Sequence, residues 1–285
     1  MIKIKVLKFG GTSLKAASSR EKVIQIIKEE GVNHKLVIVV SAIGRYPFPY
    51  ATDTLLSYTS HLSSKQKDQI ASCGELISAS ILCNECIDNK LNATCLNVYE
   101  TGIITTNAFE NANIISINTN NIYNALKEYD VVIVPGFFGI NKYHEITSIG
   151  RGGSDLSAIA ISHYLGINET TIYTDVEGIY SCDPKKFKSS ILYPYVNYNQ
   201  AELLGELNVS VLMKKACTYA RTNKIRIHLK STFNNSGFTI VDHDFSNHKF
   251  LIEQEDCYIL IDQFNNIFSF KKDLSLENAH YLFIE

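Results

Sequence analysis

The sequence predicts an α/β protein built on a mostly parallel sheet. Short aliphatic runs alternate with amphipathic stretches in the order strand, helix, strand, which is typical of parallel sheets with crossover helices. The runs at 36–40 and 130–134 are apolar almost throughout, as expected for strands that are covered on both faces. A chain of 285 residues that is 45% hydrophobic and 20% charged can bury such a sheet.

The individual elements follow from the spacing of their apolar residues. The segment 4–7 is predicted to be a strand, and the segment 18–30 carries apolar residues at helical spacing. We expect this helix to be capped near Ser18 and stopped by Gly31. The remaining predicted elements are a strand at 171–174 and helices at 73–90 and 154–164, the last of which ends at Gly166.

Charge and cysteine usage narrow the class of protein. The net charge is −2 with acids and bases interspersed, which does not resemble the basic stripe of a nucleic-acid-binding protein. No apolar run approaches the ~20 residues that cross a bilayer, and the N-terminus lacks a signal-peptide pattern. The seven cysteines fit no disulfide framework, and the CxxC at 83–86 has no second pair to complete a zinc site. We expect a cytoplasmic protein with small-molecule partners, no nucleic-acid or membrane partner, and no metal held by its own side chains.

Polar or glycine-bearing loops follow the predicted strands. Ser41 follows the second strand, Gly136 and Phe137 follow the third, and Asp175 follows the fourth. Ligands bind beyond the carboxyl ends of the strands in open α/β sheets. These residues are therefore expected to converge on one site.

Two glycine-rich segments, KFGGTS at 8–13 and GRGGSD at 150–155, indicate phosphoryl transfer. Glycine lets backbone N–H groups approach phosphate oxygens, and Lys8 supplies a positive charge for the transferred group. Neither the Walker A motif nor GxGxxG occurs. A P-loop NTPase and a Rossmann dehydrogenase are thus disfavoured.

Further motifs accompany these two segments in a fixed order over roughly residues 1–240. They are VVSAIGR at 39–45, PYATDTLL at 49–56, SCGELIS at 72–78, PGFFG at 135–139, TSIGRGGSD at 147–155, YTDVEGIYSCDPK at 173–185 and KSTF at 230–233. This ordered series resembles the amino-acid kinase superfamily, and most closely the aspartate kinases. The resemblance implies a three-layer α/β/α sandwich with a mostly parallel central sheet.

The resemblance also implies a role for each glycine-rich segment. Lys8 would contact the γ-phosphoryl group, and Asp155 would hold Lys8 in place rather than act as a base. A carboxylate acceptor is already ionised at neutral pH, so positioning and charge stabilisation should carry the reaction. The residues implied to bind the phosphates are Gly10, Gly11, Thr12, Ser13, Gly152 and Gly153.

The acceptor and the nucleotide would bind on either side of these segments. By resemblance, Glu75 would bind the α-ammonium of an amino-acid acceptor and Arg151 its α-carboxylate. Asp175 would accept hydrogen bonds from ribose hydroxyls, and Tyr180 would stack on the nucleotide. The other implied positions are Ser41, Thr52, Phe137 and Ser154 for the acceptor, and Thr174, Asp183, Pro184 and Lys185 for the nucleotide.

Two substitutions depart from the aspartate kinase pattern. Ser210 stands where these kinases usually have a lysine that reaches the nucleotide phosphates, and Lys185 stands where they have an arginine. One hypothesis is that Lys214 or Lys215 replaces the missing charge. Weakened nucleotide affinity is the expected consequence.

The end of the chain is predicted to differ from the rest. Residues 1–240 are expected to form the catalytic domain, and 241–285 a short β-rich tail with strands at 257–261, 266–270 and 280–284. We interpret the tail as a remnant of the ACT domains of aspartate kinases, either packed on the catalytic domain or paired with another chain as a homodimer. Feedback inhibition through ACT domains is accordingly expected to be absent.

The activity that the resemblance implies is ATP-dependent phosphorylation of the L-aspartate β-carboxylate to 4-phospho-L-aspartate. This reaction begins the biosynthesis of lysine, threonine and methionine, and its Mg²⁺ would be held mainly by phosphates and water. Two alternatives stay open: a kinase of another small carboxylate in the same superfamily, and a non-catalytic binding or regulatory subunit.

Overall fold

The computed structural model describes residues 3–207, 211–243 and 248–271. Its helices are α1 (Gly11–Leu14), α2 (Ala17–Glu30), α3 (Thr52–Ser57), α4 (Ser64–Asp88), α5 (Asn120–Glu128), α6 (Gly153–Tyr164), α7 (Tyr198–Glu206) and α8 (Lys214–Asn223). Its strands are β1 (Ile4–Phe9), β2 (Lys35–Val40), β3 (Ala93–Cys95), β4 (Ile103–Thr105), β5 (Ile114–Ile117), β6 (Val131–Pro135), β7 (Phe138–Ile140), β8 (Ile146–Ser148), β9 (Glu169–Thr174), β10 (Ile179–Tyr180), β11 (Leu192–Tyr193), β12 (Tyr195–Asn197), β13 (Arg226–Ser231), β14 (Phe238–Asp242), β15 (Phe250–Glu253), β16 (Cys257–Ile261) and β17 (Ile267–Lys271).

The central sheet contains eight strands in the order β12-β14-β13-β9-β1-β2-β6-β3. β13 and β14 pair antiparallel, and the other neighbours pair parallel. The carboxyl ends of β1, β2, β6 and β9 therefore lie at one edge, as predicted. The expectation of a mostly parallel sheet is confirmed.

Alternate residues of the central strands face two separate cores. Val6 and Val37 belong to a core that includes residues of α5, α6 and α8. Leu7 and Ile38 belong to a second core that includes residues of α2 and α4. Because successive side chains of a strand point to opposite faces, these cores lie on the two sides of the sheet. The result is the predicted α/β/α sandwich.

Helix ends differ from the expectations more than helix positions do. The helix predicted at 73–90 begins at Ser64, where Ser63 and Gln66 form a capping box. Its first turns are polar and lack the apolar spacing that marks a helix in the sequence. The cap expected near Ser18 is wrong, since α2 follows Ala16 and has no side-chain cap.

α4 is long and apolar enough to span a membrane by length and composition alone. Half of its most apolar stretch is nevertheless buried inside the protein. It also carries the buried carboxylates Asp68 and Glu75. α4 is therefore a core helix, and it brings Glu75 beneath the loop that follows β2.

The tail contains a separate antiparallel sheet in the order β15-β16-β17. β16 and β17 match the strands predicted at 257–261 and 266–270, whereas the strand predicted at 280–284 lies outside the described residues. The sequence did not predict β15. Phe250 and Ile252 of β15 belong to the same core as Val6, so this sheet packs against the body of the protein.

Candidate active site

A buried ion pair joins the two glycine-rich segments. Lys8 lies near the end of β1, and Asp155 lies in the first turn of α6. The distance from Lys8 Nζ to Asp155 Oδ1 is 2.6 Å, and the two residues are only 9% and 6% exposed. The carboxylate fixes the ammonium group at the carboxyl edge of the sheet, where it lines a cleft.

The glycines that follow Lys8 allow two loops to approach closely. A Cβ atom on Gly11 would lie 2.4 Å from Ala42 O and 2.6 Å from Gly44 O, far inside contact distance. A larger residue at position 11 would therefore push the loop after β2 away. Ser13 is fully buried, and its hydroxyl is bonded to that of Thr232 at 2.7 Å, so its side chain ties α1 to the end of β13.

The second glycine-rich segment forms the start of α6. Gly152 has φ +71° and precedes the first helical residue, Gly153. A Cβ atom on Gly153 would lie 2.4 Å from the Phe137 ring. These glycines therefore bring the turn after β6 against the N-terminus of α6, whose free N–H groups favour anions.

A cleft of about 600 Å³ begins at Lys8 and runs along the loop after β9. The predicted site residues that line it are Lys8, Gly10, Gly11, Thr12, Ser41, Thr174, Asp175, Tyr180, Asp183 and Pro184. Among the described residues, Ser13, Gly152, Gly153 and Lys185 do not line it. The volume suits a nucleotide-sized ligand.

Hydrogen bonds fix the nucleotide-side residues. The Tyr180 hydroxyl donates to Glu177 Oε2 at 2.9 Å, and burial together with Glu177 raises the pKa of Tyr180 to about 12. The Thr174 hydroxyl donates to Asp175 Oδ1 at 3.0 Å. Asp183 Oδ1 accepts from the backbone of Lys185, so this carboxylate shapes its own turn as well as lining the cleft.

Glu75 is the most unusual group on the acceptor side. It is 2% exposed, and its Oε1 accepts from Ala42 N at 3.1 Å and from the Thr52 hydroxyl at 3.5 Å. Its Oε2 is buried without a hydrogen-bond partner among the described residues. Burial raises the pKa of Glu75 to about 8, against the opposing effect of these donors.

The other predicted acceptor residues lie around the turn after β6 and the start of α6. Phe137 has φ +72°, and its N–H donates to Ser157 Oγ at 3.1 Å. Ser154 is buried, whereas Arg151 is exposed. Within the described part of the chain, Thr52, Glu75, Phe137, Arg151 and Ser154 do not line the cleft.

The amino acid kinase family model matches residues 3–231 of this chain. The chain is a member of the amino acid kinase family. Aspartokinase 1 of Bacillus subtilis strain 168 is 36% identical over 245 residues, which cover 84% of this chain and 61% of that protein. The chain spans about three fifths of the length of the curated aspartokinases it matches.

Two solved aspartate kinases resemble this member of the family. The structure of E. coli aspartokinase III in complex with aspartate and ADP matches with a TM-score of 0.74 at 20% identity, over 88% of this chain and 67% of that chain. At this identity the likeness shows the fold. The aspartate kinase from Synechocystis matches with a TM-score of 0.72 at 30% identity, over 85% of this chain and 40% of that one.

The lysines that were candidates to replace the charge missing at Ser210 have other partners. Lys214 Nζ lies 3.0 Å from Glu206 Oε2 at the surface. Lys215 Nζ donates to Ala112 O at 2.7 Å and to Ile149 O at 2.9 Å, and burial lowers its pKa. Ser210 itself lies outside the described residues.

The sequence reasoning missed Asp68 altogether and assigned Lys215 only a hypothetical contact with the nucleotide phosphates, whereas both residues hold the chain just before Gly150. Asp68 Oδ2 accepts from Ser148 N and Glu110 N, each at 2.9 Å, and its Oδ1 accepts from Ser148 Oγ at 2.7 Å. Lys215 binds the neighbouring carbonyl groups of the same two segments. No local pattern marks such residues, because their partners are distant in sequence.

Several residues that do line the cleft were also missed in this amino acid kinase. Gly44, with φ +75°, and Arg45 follow the second strand within a motif already recognised, so their place in the site was accessible from the sequence. Val176 and Ile179 likewise lie within the motif recognised at 173–185. The apolar lining residues outside the recognised motifs were not accessible in this way, and they are Leu204, Val211, Met213, Phe250, Leu251 and Ile252.

Proposed function

We propose that this chain transfers the γ-phosphoryl group of ATP to the β-carboxylate of L-aspartate, forming 4-phospho-L-aspartate and ADP. The observation that carries the proposal is the buried Lys8–Asp155 pair, whose ammonium lines a nucleotide-sized cleft. The aspartokinase relatives support aspartate as the acceptor. Because the chain spans only part of their length, substrate and activity belong to the proposal.

Glu75 supports an amino-acid acceptor independently of the relatives. A buried carboxylate oxygen without a partner is costly, and a ligand ammonium would supply the missing donor. Ala42 connects this group to the phosphate side, since its N–H binds Glu75 and its carbonyl packs on Gly11. Arg151 is exposed and free to turn toward an acceptor carboxylate.

The chain's residues would act by positioning and charge stabilisation. The β-carboxylate oxygen forms a bond to the γ-phosphorus as the bond to the β–γ bridging oxygen breaks. Lys8 and the N–H groups of Gly10 and Gly11 would stabilise the negative charge on the transferred group. Asp155 would hold the Lys8 ammonium group in place. ATP enters as its magnesium complex, in which Mg²⁺ keeps phosphate and water ligands.

The test is acyl-phosphate formation with Mg-ATP and L-aspartate, trapped as the hydroxamate, with Lys8→Ala as the control. Activity that is lost in the control supports the proposal. If the chain binds ATP and phosphorylates another small carboxylate but not aspartate, that other carboxylate is the acceptor. Absence of both turnover and ATP binding would favour the non-catalytic subunit.

We also propose that the protein is cytoplasmic, that it forms a homodimer and that the chain divides into two parts near residue 240. The seven cysteines are free thiols, which suits a reducing cytoplasm. Light scattering would test the homodimer. Limited proteolysis would test whether the chain divides near residue 240.

A further inference from the structure

β15 lies along the cleft although it belongs to the predicted tail. Phe250, Leu251, Ile252 and Glu253 all line the cleft. No recognised motif includes these residues, and none of them was assigned to the site from the sequence. Their position raises the question of what a nucleotide would contact there.

Three contacts fix β15 against the nucleotide side. Leu251 N–H donates to Ser181 O at 2.8 Å, immediately before the cleft residues Cys182 and Asp183. Lys186 Nζ pairs with Glu253 Oε2 at 2.5 Å. The Tyr193 hydroxyl donates to Lys249 O at 2.9 Å, just before the strand begins. β15 is therefore held by the segment that carries the predicted nucleotide-binding residues.

The side chains of β15 extend an apolar surface that starts in the body of the protein. Phe250 and Ile252 belong to the same core cluster as Ile179 and Leu204, and all four line the cleft. Lys8 and the glycines supply the polar lining for phosphates. A purine base presents flat apolar faces and needs an apolar surface of this kind.

We infer that β15 forms part of the surface that binds the nucleotide base, so that the functional unit extends at least to Glu253. This inference rests on the proposed function for the identity of the ligand as an adenine nucleotide. It assigns to the tail a direct contact with substrate.

The chain offers a matched control for Ile252. Ile259 of β16 is its cross-strand partner, belongs to the same core cluster, and is equally buried at 7% exposure. Only Ile252 lines the cleft. Shortening either residue removes the same atoms from the same small sheet.

The experiment compares Ile252→Ala with Ile259→Ala in the full chain, by calorimetric titration with ADP and by the KM values for ATP and aspartate. We expect Ile252→Ala to weaken ADP binding about tenfold, as for the loss of roughly two methylene groups from an apolar contact. Ile259→Ala should show a similar loss of thermal stability with ADP binding unchanged. Aspartate KM should stay the same in both.

Equal weakening in both variants, or no weakening in either, would overturn the inference. If the alanine variants do not fold, Ile252→Val and Ile259→Val repeat the comparison with a smaller deletion. ADP binding needs no acceptor. A wild-type chain that binds ADP but does not phosphorylate aspartate therefore refutes the proposed acceptor and leaves this test intact, whereas a chain that binds no ADP overturns the inference.

Discussion

On the nucleotide side, Tyr180, Pro184 and Ile252 line a cleft of about 600 Å³, whereas Glu75 on the acceptor side is 2% exposed and lines no part of it. The nucleotide half is thus lined by glycines, backbone and apolar side chains. The acceptor half buries a carboxylate, one oxygen of which has no hydrogen-bond partner among the described residues, and such burial is unfavourable. Under the proposed function, the ammonium group of the acceptor would offset this unfavourable burial.

The largest expected effect comes from breaking the Lys8–Asp155 ion pair. Lys8→Ala should reduce kcat more than a hundredfold, because the transition state would lose about 3 kcal/mol of stabilisation. It should also destabilise the protein by roughly 3–5 kcal/mol, because Asp155 would remain buried without its partner. Urea unfolding and hydroxamate assays measure the two effects. Lys8→Ala combined with Asp155→Asn should recover stability but not activity, and recovered activity would contradict the assigned role of Lys8.

Glu75→Gln should affect the acceptor half alone. Loss of a charged hydrogen bond to the ammonium is expected to raise the KM for aspartate about 10- to 100-fold, on the basis of roughly 1.5–3 kcal/mol. The KM for ATP should not change. Tyr180→Ala, which removes the ring expected to stack on the nucleotide, is the control from the nucleotide half and should change only the KM for ATP. If both variants change both constants, the two halves do not act separately.

The raised pKa of Glu75 predicts a pH dependence of aspartate capture. In the free protein the carboxyl group is mostly protonated below a pKa of about 8, and the ligand ammonium needs the ionised form. kcat/KM for aspartate should therefore rise with pH around 8, since this constant reports the free enzyme. Glu75→Gln should remove that rise, and an identical profile in the variant would exclude Glu75 as its source.

The same pKa shift has a defined effect on stability. The folded protein holds the Glu75 proton to about pH 8, whereas the unfolded chain releases it near the ordinary glutamate pKa of 4.5. The folded state thus binds more protons between these pH values, and this group's contribution to stability falls as pH rises through that window. The melting temperature of Glu75→Gln minus that of the wild type should accordingly increase from pH 5 to pH 8.

The smallest effect is expected from the lysines of α8. Lys215→Met should lower the melting temperature and raise the KM for aspartate a fewfold, because Ala112 O and Ile149 O lose a buried donor next to the turn at Gly150. Lys214→Met removes only an exposed pair with Glu206, worth about 0–1 kcal/mol, and should change neither. A rise in the KM for ATP in either variant would instead support the hypothesis that the lysine replaces the charge missing at Ser210.

Local signals account for the parts of the site that the sequence predicted. Apolar runs of strand length located β1, β2, β6 and β9, and the parallel order then placed Lys8, Ser41 and Asp175 at one edge. Gly166, with φ +72°, ended α6 as expected, because glycine tolerates that conformation. Such features depend on a few neighbouring residues.

Residues whose partners are far away in the chain could not be found in this way. No local pattern marks the hydrogen bond between the hydroxyl groups of Ser13 and Thr232, and the role of Ser13 in binding phosphate stays a prediction. The start of α4 carries no apolar periodicity, and β15 is a short apolar run whose importance depends on its contact with Ser181. Their roles follow from which segments meet in space.

The sequence by itself determined the alternation of β1, β2, β6 and β9 with α2, α4 and α6, the glycine-rich segments and the identity of the charged groups at the sheet edge. Only the tertiary structure decided that Glu75 is buried with one oxygen unpartnered within the described part of the chain, that Lys215 binds two backbone carbonyls, and that β15 of the tail lines the cleft. The physical reason is that hydrophobic period and backbone preference act over a few residues. Desolvation and hydrogen-bond pairing are set by whichever segments fold against each other.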